Sequence, residues 1–239
     1  MRINKYLARS GVASRRQADT LITQGRVRLN GQVVGELGVQ IDENRDVVEV
    51  DDKVVSPATG TIYLMLNKPT GYLVSSKDPH HDKLVTILLK EYEGKVFPVG
   101  RLDFESSGLL LFTNDGELAF RLSHPRFGVE KTYEAAIAGA ILESDLANLD
   151  RGIILEDGPT APTRSKLISK SNTTSVVQIT LHEGRKRQVR RMFEKIGFPV
   201  VSLKRIEFGG IKLGNLAEGK FVNLKIADVR KLKSQVGLV

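Results

Sequence analysis

The chain contains no cysteine. Disulfides, thiolate metal sites and cysteine nucleophiles are therefore excluded, and nothing points to an oxidising compartment. It also lacks any apolar run approaching the ~18 residues that a membrane-spanning helix needs. Its opening residues, MRINKYLARSG, are too polar for a secretory signal. The cytoplasm is the expected location, with no membrane partner. Metal ligands are scarce as well. His80, His81 and Asp82 have no third ligand at a recognisable spacing, and the carboxylates around Asp46 lack the ligand pattern and glycine of a calcium loop. Gly209, Gly210 and Gly214 follow no phosphate-cradle pattern and read as turns.

Positive charge is what the chain does have. Its 239 residues carry 36 Lys and Arg against 28 Asp and Glu, a formal charge of +8 with a pI near 9.6. Such a balance favours a polyanion through counterion release, although anionic lipid and acidic proteins attract it too. The distribution says more than the sum. Arg2, Lys5, Arg9, Arg15, Arg16, Arg26 and Arg28 precede Gly35 with Asp19 as the one carboxylate among them, and Asp42, Glu43, Asp46, Glu49, Asp51 and Asp52 then crowd together. This asymmetry directs one face of a short module at a phosphate backbone.

Local patterning makes that module a helical pair followed by a hairpin. Ile3, Tyr6 and Leu7 lie at helical spacing, and Gly11 can take the left-handed C-terminal position. Ser14 with Gln17 fits a capping box, Ala18, Leu21 and Ile22 give an apolar stripe, and Gly25 closes the second helix. Arg15 and Arg16 in its first turn oppose the helix macrodipole, a cost that an anionic ligand would offset. RVRLNGQVV then reads as strand, Asn30-Gly31 turn and strand. A solvated charged face is the plainer alternative. The turn-forming stretch Ser56-Pro57-Ala58-Thr59-Gly60 marks a boundary, giving a first domain at 1–56, a linker at 57–60 and a second domain at 61–239.

From Thr61 onward the texture mixes strand patterns, at Ile62 to Leu66 and Thr174 to Leu181, with helical spacing at Glu117 to Leu122, Glu143 to Leu149 and Arg187 to Ile196. Strands and helices do not alternate regularly, which argues for an α+β domain with a mixed, largely antiparallel sheet. A second basic concentration, HEGRKRQVRR, opens an amphipathic helix just after Gly184 and crowds Arg185, Lys186, Arg187, Arg190 and Arg191 at its N-terminal end. Two misplaced cationic clusters in one chain favour a phosphate partner. Between these features lies VGRLDFESSGLLLFTNDG, where Asp103 stands on a loop ahead of the apolar run Leu109 to Phe112, with Arg101 close by. Asp103 reads either as a turn residue or as a reactive carboxylate, and an arginine from the basic helix could hold it ionised. Glu105 lies two positions on in the same loop, so a paired-carboxylate glycosidase has no fixed separation to rest on.

Taken together, SRRQADTLITQGRVRLNG resembles the S-four RNA-binding domain. LNKPTG at Leu66, GRLDFESSGLLLFTNDG at Gly100, EKTYEA at Glu130 and HEGRKRQVRRMF at His182 resemble the RsuA/RluB family of ribosomal RNA pseudouridine synthases, in family order and over nearly the whole chain. The resemblance implies a small helical and hairpin RNA-binding domain followed by a synthase domain with a central active-site cleft. It further implies that Asp103 is the essential aspartate, that Tyr133 stacks on the target uracil with a part in proton transfer, and that Arg185 is the salt-bridge partner of Asp103. Lys68 and Pro69 match a motif that supports the active-site loop, and Arg101 is expected to support it as well. Ser106 stands where a threonine is common in the family, which keeps a hydroxyl. The ending HEGRKRQVRRMF and the VEKTY context look closest to the RluB subgroup, which acts on large-subunit ribosomal RNA; a small-subunit enzyme, a noncatalytic assembly factor and an N-glycosylase are the alternatives. The implied reaction moves uracil from an N1 to a C5 glycosidic bond without redox change or energy donor, so no cofactor is expected. The expected partner is ribosomal RNA or an assembling ribosomal particle, met by a monomer.

Overall fold

Helix α1 (Ile3–Arg9) forms where Ile3, Tyr6 and Leu7 can all be buried on one side, and it stops at Ser10 because Gly11 takes φ +71°. Helix α2 (Arg15–Thr23) starts on the expected capping box: Ser14 Oγ accepts from the Gln17 amide and the Gln17 side chain accepts from the Ser14 amide. Strands β1 (Val27–Leu29) and β2 (Gln32–Val33) pair antiparallel across Asn30 and Gly31, whose positive φ values of +52° and +82° suit a two-residue hairpin turn. Strands β3 (Val48–Val50) and β4 (Lys53–Val55) extend this into a sheet of order β2-β1-β3-β4. Ile3, Leu7, Ala18, Ile22, Val27 and Val48 are fully buried together.

The computed structural model describes residues 1–57, 60–75, 78 and 82–238, which separate into two compact units. One comprises Met1–Thr61 and Glu91–Phe97, the other Ile62–Lys90 and Pro98–Val239. Ala58, Thr59, His80 and His81, named above for a linker and for metal binding, lie outside the described residues.

After Tyr63 the chain forms, in order, β5 (Tyr63–Lys68), β6 (Phe97–Pro98), β7 (Ser106–Thr113), α3 (Gly116–Ser123), β8 (Lys131–Ala138), α4 (Glu143–Asp150), β9 (Ile154–Leu155), β10 (Gly158–Pro159), β11 (Arg164–Lys170), β12 (Thr174–Leu181), α5 (Gln188–Lys195), β13 (Val200–Phe208), β14 (Ile211–Lys212), β15 (Phe221–Asn223) and α6 (Ile226–Gln235). The main sheet runs β11-β12-β8-β13-β7-β5-β15, and along it the one parallel pair is β7 with β13. The expected mixed, largely antiparallel sheet is therefore what the chain forms. Met65, Leu109, Leu111 and Phe208 pack with Leu118 and Leu122 of α3 and Leu232 of α6. Ala135, Ile137, Val177, Ile179 and Leu203 pack with Leu146 and Leu149 of α4 and Val189, Met192 and Phe193 of α5.

Helix α5 corrects one expectation. It begins at Gln188, not just after Gly184, because Arg187 adopts the left-handed conformation at φ +51° and ψ +31°. Arg185, Lys186 and Arg187 thus belong to the loop before the helix, and only Arg190 and Arg191 ride on it.

The parallel pairing of β7 and β13 brings Gly108 opposite Arg205, and a Cβ there would stand 2.2 Å from the Arg205 carbonyl oxygen and 2.7 Å from its amide nitrogen. Gly108 also holds φ +103°. Gly108→Ala should therefore cost more than about 3 kcal/mol, since a conformational penalty of roughly 1–3 kcal/mol adds to a main-chain clash. Urea denaturation checks this; a loss below about 1 kcal/mol would mean that the two strands can part without cost.

Candidate active site

The loop that carries Asp103 joins β6 to β7, and its main-chain carbonyls turn inward. Lys68, at the end of β5 and fully buried, donates from Nζ to the carbonyls of Pro69 at 2.9 Å, Ser106 at 2.8 Å and Asp103 at 3.3 Å. The Asp103 carbonyl also accepts from the Ser106 amide, and the Phe104 carbonyl from the Gly71 amide. Lys68 thus ties the end of β5 to the Asp103 loop through main-chain carbonyls, that of Pro69 among them. Desolvation by burial lowers the Lys68 pKa to about 8, opposed by the charges of Asp103 and Glu218.

Asp103 itself is half-buried and lines a pocket with Arg101, Ser106, Tyr133, Arg185 and Arg187. Tyr133 lies on β8 between Ile179 of β12 and Arg205 of β13. Ser106 opens β7, and its buried Oγ has no hydrogen-bond partner among the described residues. Carboxylate, phenol, hydroxyl and three guanidinium groups thus border one cleft, an arrangement suited to an anionic ligand bearing a planar group.

The expected pairing of Arg185 with Asp103 is not what the chain forms. Arg185 lies 3.5 Å from the Asp157 carboxylate and 3.6 Å from that of Glu183, and its guanidinium also donates to the carbonyls of Gly158 and Pro159. Asp157 to Pro159 at the β9–β10 turn and Glu183 just after β12 present these acceptors together, which holds Arg185 at the pocket wall. Arg191 pairs with both oxygens of Asp157, at 2.9 and 3.0 Å, and with Arg185 it keeps the Asp157 carboxyl below the usual carboxylate range, Arg191 contributing most. Arg187 pairs with Glu105 at 2.8 Å, and Arg190 is buried, donating to the carbonyls of Glu105 and Val200. Arg190 is therefore a tie between α5 and the Asp103 loop, not an open phosphate contact. In this cluster Lys186 is exposed and forms no ion pair among the described residues.

Two further cations were hidden in strand patterns. Arg205 is buried on β13, with Nε donating to the Leu109 carbonyl at 2.7 Å and Nη1 standing 3.5 Å from the Tyr133 hydroxyl. Lys131 is buried on β8, donates to the Val129 carbonyl, and has its pKa lowered to about 8, first by desolvation and then by Arg205. Both approach the Phe208 ring, at 5.1 Å for Arg205 and 5.5 Å for Lys131. Lys131 was visible within EKTYEA, but no local signal announced that either charge points inward.

In the first unit the acidic segment divides the cations. Arg9 pairs with Glu43 at 2.8 Å, Arg28 with Asp52 at 3.3 Å, and Arg26 with both oxygens of Asp51. Arg2, Lys5, Arg15 and Arg16 are exposed and form no ion pair among the described residues. Among those residues no cluster could hold a metal ion, and no helix is long and apolar enough to cross a membrane.

Comparison with known proteins agrees in both units. Residues 62–195 match the family model described as RNA pseudouridylate synthase, and residues 1–47 match the S4 domain. A Bacillus subtilis (strain 168) protein named ribosomal large subunit pseudouridine synthase B is 44% identical over 235 residues, spanning 98% of this chain and 96% of that protein. An uncharacterized RNA pseudouridine synthase of Aquifex aeolicus (strain VF5) is 44% identical over 239 residues, covering 100% and 96%. A crystal structure of a pseudouridylate synthase superposes with a TM-score of 0.70 at 32% identity, covering 97% of this chain and 99% of its own.

The Lys68 site sets a pH dependence. With its pKa at about 8 in the folded chain against 10.5 for the free side chain, the unfolded state binds more protons between those values, so this group makes stability rise as pH climbs through that window. Lys68→Met should remove that rise, at about 1.4 kcal/mol per pH unit at most. The slopes of unfolding free energy for wild type and variant, measured from pH 8 to 10.5, provide the check; parallel slopes would refute it.

Proposed function

The chain belongs to the RNA pseudouridylate synthase family, and on that premise we propose that Asp103 is the carboxylate that drives its isomerisation of uridine. The observation that carries this reading is the pocket that Asp103 shares with Tyr133, Arg101, Arg185 and Arg187. The reaction breaks the N1–C1′ bond and forms a C5–C1′ bond, while C5 loses a proton and N1 gains one, so no co-reactant is consumed. The glycosidic carbon is out of reach within a stacked helix, and the uridine must be flipped at a cost of a few kcal/mol. Asp103, on a loop fixed by Lys68, either attacks C1′ or takes the C2′ proton; both begin with the same carboxylate facing the sugar. Tyr133 lies against the base. Arg185, held by Asp157 and Glu183, and Arg187, held by Glu105, present positive charge to flanking phosphates, and Arg101 adds a third. Closing the cleft around the nucleotide keeps water from an intermediate whose hydrolysis would leave an abasic site.

The substrate we assign is large-subunit ribosomal RNA, free or in an assembling particle, modified in the cytoplasm by a monomer. Near-complete coverage and 44% identity with the Bacillus subtilis relative support this assignment. The first domain, drawn at 1–56, would grip RNA mainly through Arg2, Lys5, Arg15 and Arg16, with Lys186 adding charge near the pocket. Arg9, Arg26 and Arg28 already have carboxylate partners and would contribute less.

Asp103→Asn should abolish pseudouridine formation while RNA affinity stays within about twofold of wild type. Carbodiimide-dependent primer extension on ribosomal RNA from cells with and without the protein reads both the activity and the position; a fully active Asp103→Asn protein would refute the assignment. For binding to duplex RNA, Arg15→Gln with Arg16→Gln should make the salt dependence of affinity shallower by up to about 0.9 for each phosphate that is no longer neutralised, whereas Arg26→Gln should leave it nearly unchanged. Equal slopes for the two variants would show that paired and unpaired cations act alike.

A further inference from the structure

An aromatic corner lies where α3 runs into the short 3-10 turn Pro125–Phe127. The rings of Phe120 and His124 stand 5.2 Å apart, those of His124 and Phe127 6.4 Å, and those of Phe120 and Phe127 6.2 Å. The Arg126 guanidinium lies 4.5 Å from the Phe127 ring centre and 5.5 Å from that of Phe120, and Arg121 lies 5.6 Å from Phe127. Phe127 anchors the group, since it packs on the core formed with α3 and α6. Phe120, by contrast, is 45% exposed, and His124 and Arg126 are exposed beside it. Arg121 is fixed by Glu117 and by the carbonyls of Val236 and Gly237. Arg126 pairs with no carboxylate among the described residues.

A single exposed apolar side chain is ordinary, but here an exposed phenyl ring, an exposed imidazole and a guanidinium that pairs with no carboxylate among the described residues are gathered at one corner. That combination suits an unpaired nucleobase: every base offers a π face to aromatic rings and to guanidinium planes, and the adjoining phosphate is drawn to the cation. Bases inside a duplex have both faces occupied, so the corner selects single-stranded segments. Its position connects it to the chemistry. A Cβ on Gly100 would stand 3.8 Å from Ser123 Cβ at the end of α3, and the next residue, Arg101, lines the Asp103 pocket. Flipping a uridine leaves its neighbours without a stacking partner.

We propose that Phe120, His124 and Arg126 form a stacking platform for an unpaired base that neighbours the target uridine. The platform rests on the reading that the Asp103 pocket receives that uridine.

The test compares the full chain with Phe120→Leu/Arg126→Gln, using fluorescence anisotropy on a hairpin RNA with a loop of unpaired uridines and on a blunt RNA duplex of equal length. Hairpin affinity should fall about 5- to 150-fold, the range expected for one stacked base, while duplex affinity changes less than about twofold. Phe120→Tyr, which keeps the ring, should bind the hairpin as wild type does. An equal fall for both RNAs would reduce the corner to its charge and overturn the proposal, as would unchanged hairpin binding or a Phe120→Tyr loss as large as that of the double variant. Altered sedimentation of the double variant would mark a protein contact and overturn it too. In the Asp103→Asn background the same selective loss is expected, so a failure of the catalytic assignment, read by pseudouridine formation, remains distinct from a failure of the platform.

Discussion

The turn at Asp103 directs main-chain carbonyls inward, and the Lys68 ammonium answers them from a position that solvent does not reach. An unpaired buried carbonyl costs roughly 1–3 kcal/mol, and the carbonyls of Pro69, Asp103 and Ser106 all accept from this one donor. A neutral side chain of similar length would leave the turn to refold around water. Burial is costly to the lysine, whose pKa it lowers to about 8, and the hydrogen bonds it makes there tie the carboxylate's main chain to the end of β5. Gly108 adds the second constraint. By letting β7 press against the Arg205 main chain it places the Asp103 loop, Tyr133 and Arg205 around one strand pair.

Net charge turns out to be a poor measure of charge on offer. Arg9, Arg26 and Arg28 are taken up by Glu43, Asp51 and Asp52 in turn, so the acidic segment after Gly35 trims the basic face instead of forming a separate surface. Around the pocket the carboxylates act differently. Asp157, Glu183 and Glu105 each hold an arginine at the wall, a use of ion pairs for placement where their contribution to stability at such exposure is small. Cations placed in this way would need no reorganisation on meeting the phosphates proposed for them.

What the sequence made legible was local. The Ser14–Gln17 box, the Asn30-Gly31 turn and the glycine stops at Gly11 and Gly25 depend on neighbours within a few residues, and each forms as its pattern implies. Apart from Glu183, the acceptors that hold Arg185 lie on the β9–β10 turn, more than twenty residues away and without a motif of its own, so its pairing is not legible locally. The true start of α5 is not legible either, because nothing in EGRKRQ signals that Arg187 takes a left-handed conformation, which residues other than glycine seldom adopt. The parallel contact of β7 with β13 joins segments about a hundred residues apart, beyond the reach of any periodicity.

Arg205 and Lys131 show the same limit at its most consequential. In a strand a charged residue ordinarily marks the solvent side, so VVSLKRIEF and KTYEAAIA suggest outward cations where the chain buries them. Neither has a carboxylate partner among the described residues; main-chain carbonyls and the Phe208 ring are what they meet. Of the two, Arg205 reaches the Tyr133 hydroxyl, and Tyr133 lines the pocket, so its charge raises the potential on that side of the site. A field of that sign is what the catalysis proposed for Asp103 would draw on, since it favours negative charge on that side of the site. The burial that makes these cations costly is also what leaves their charge poorly screened, so it acts over a longer reach than that of an exposed arginine.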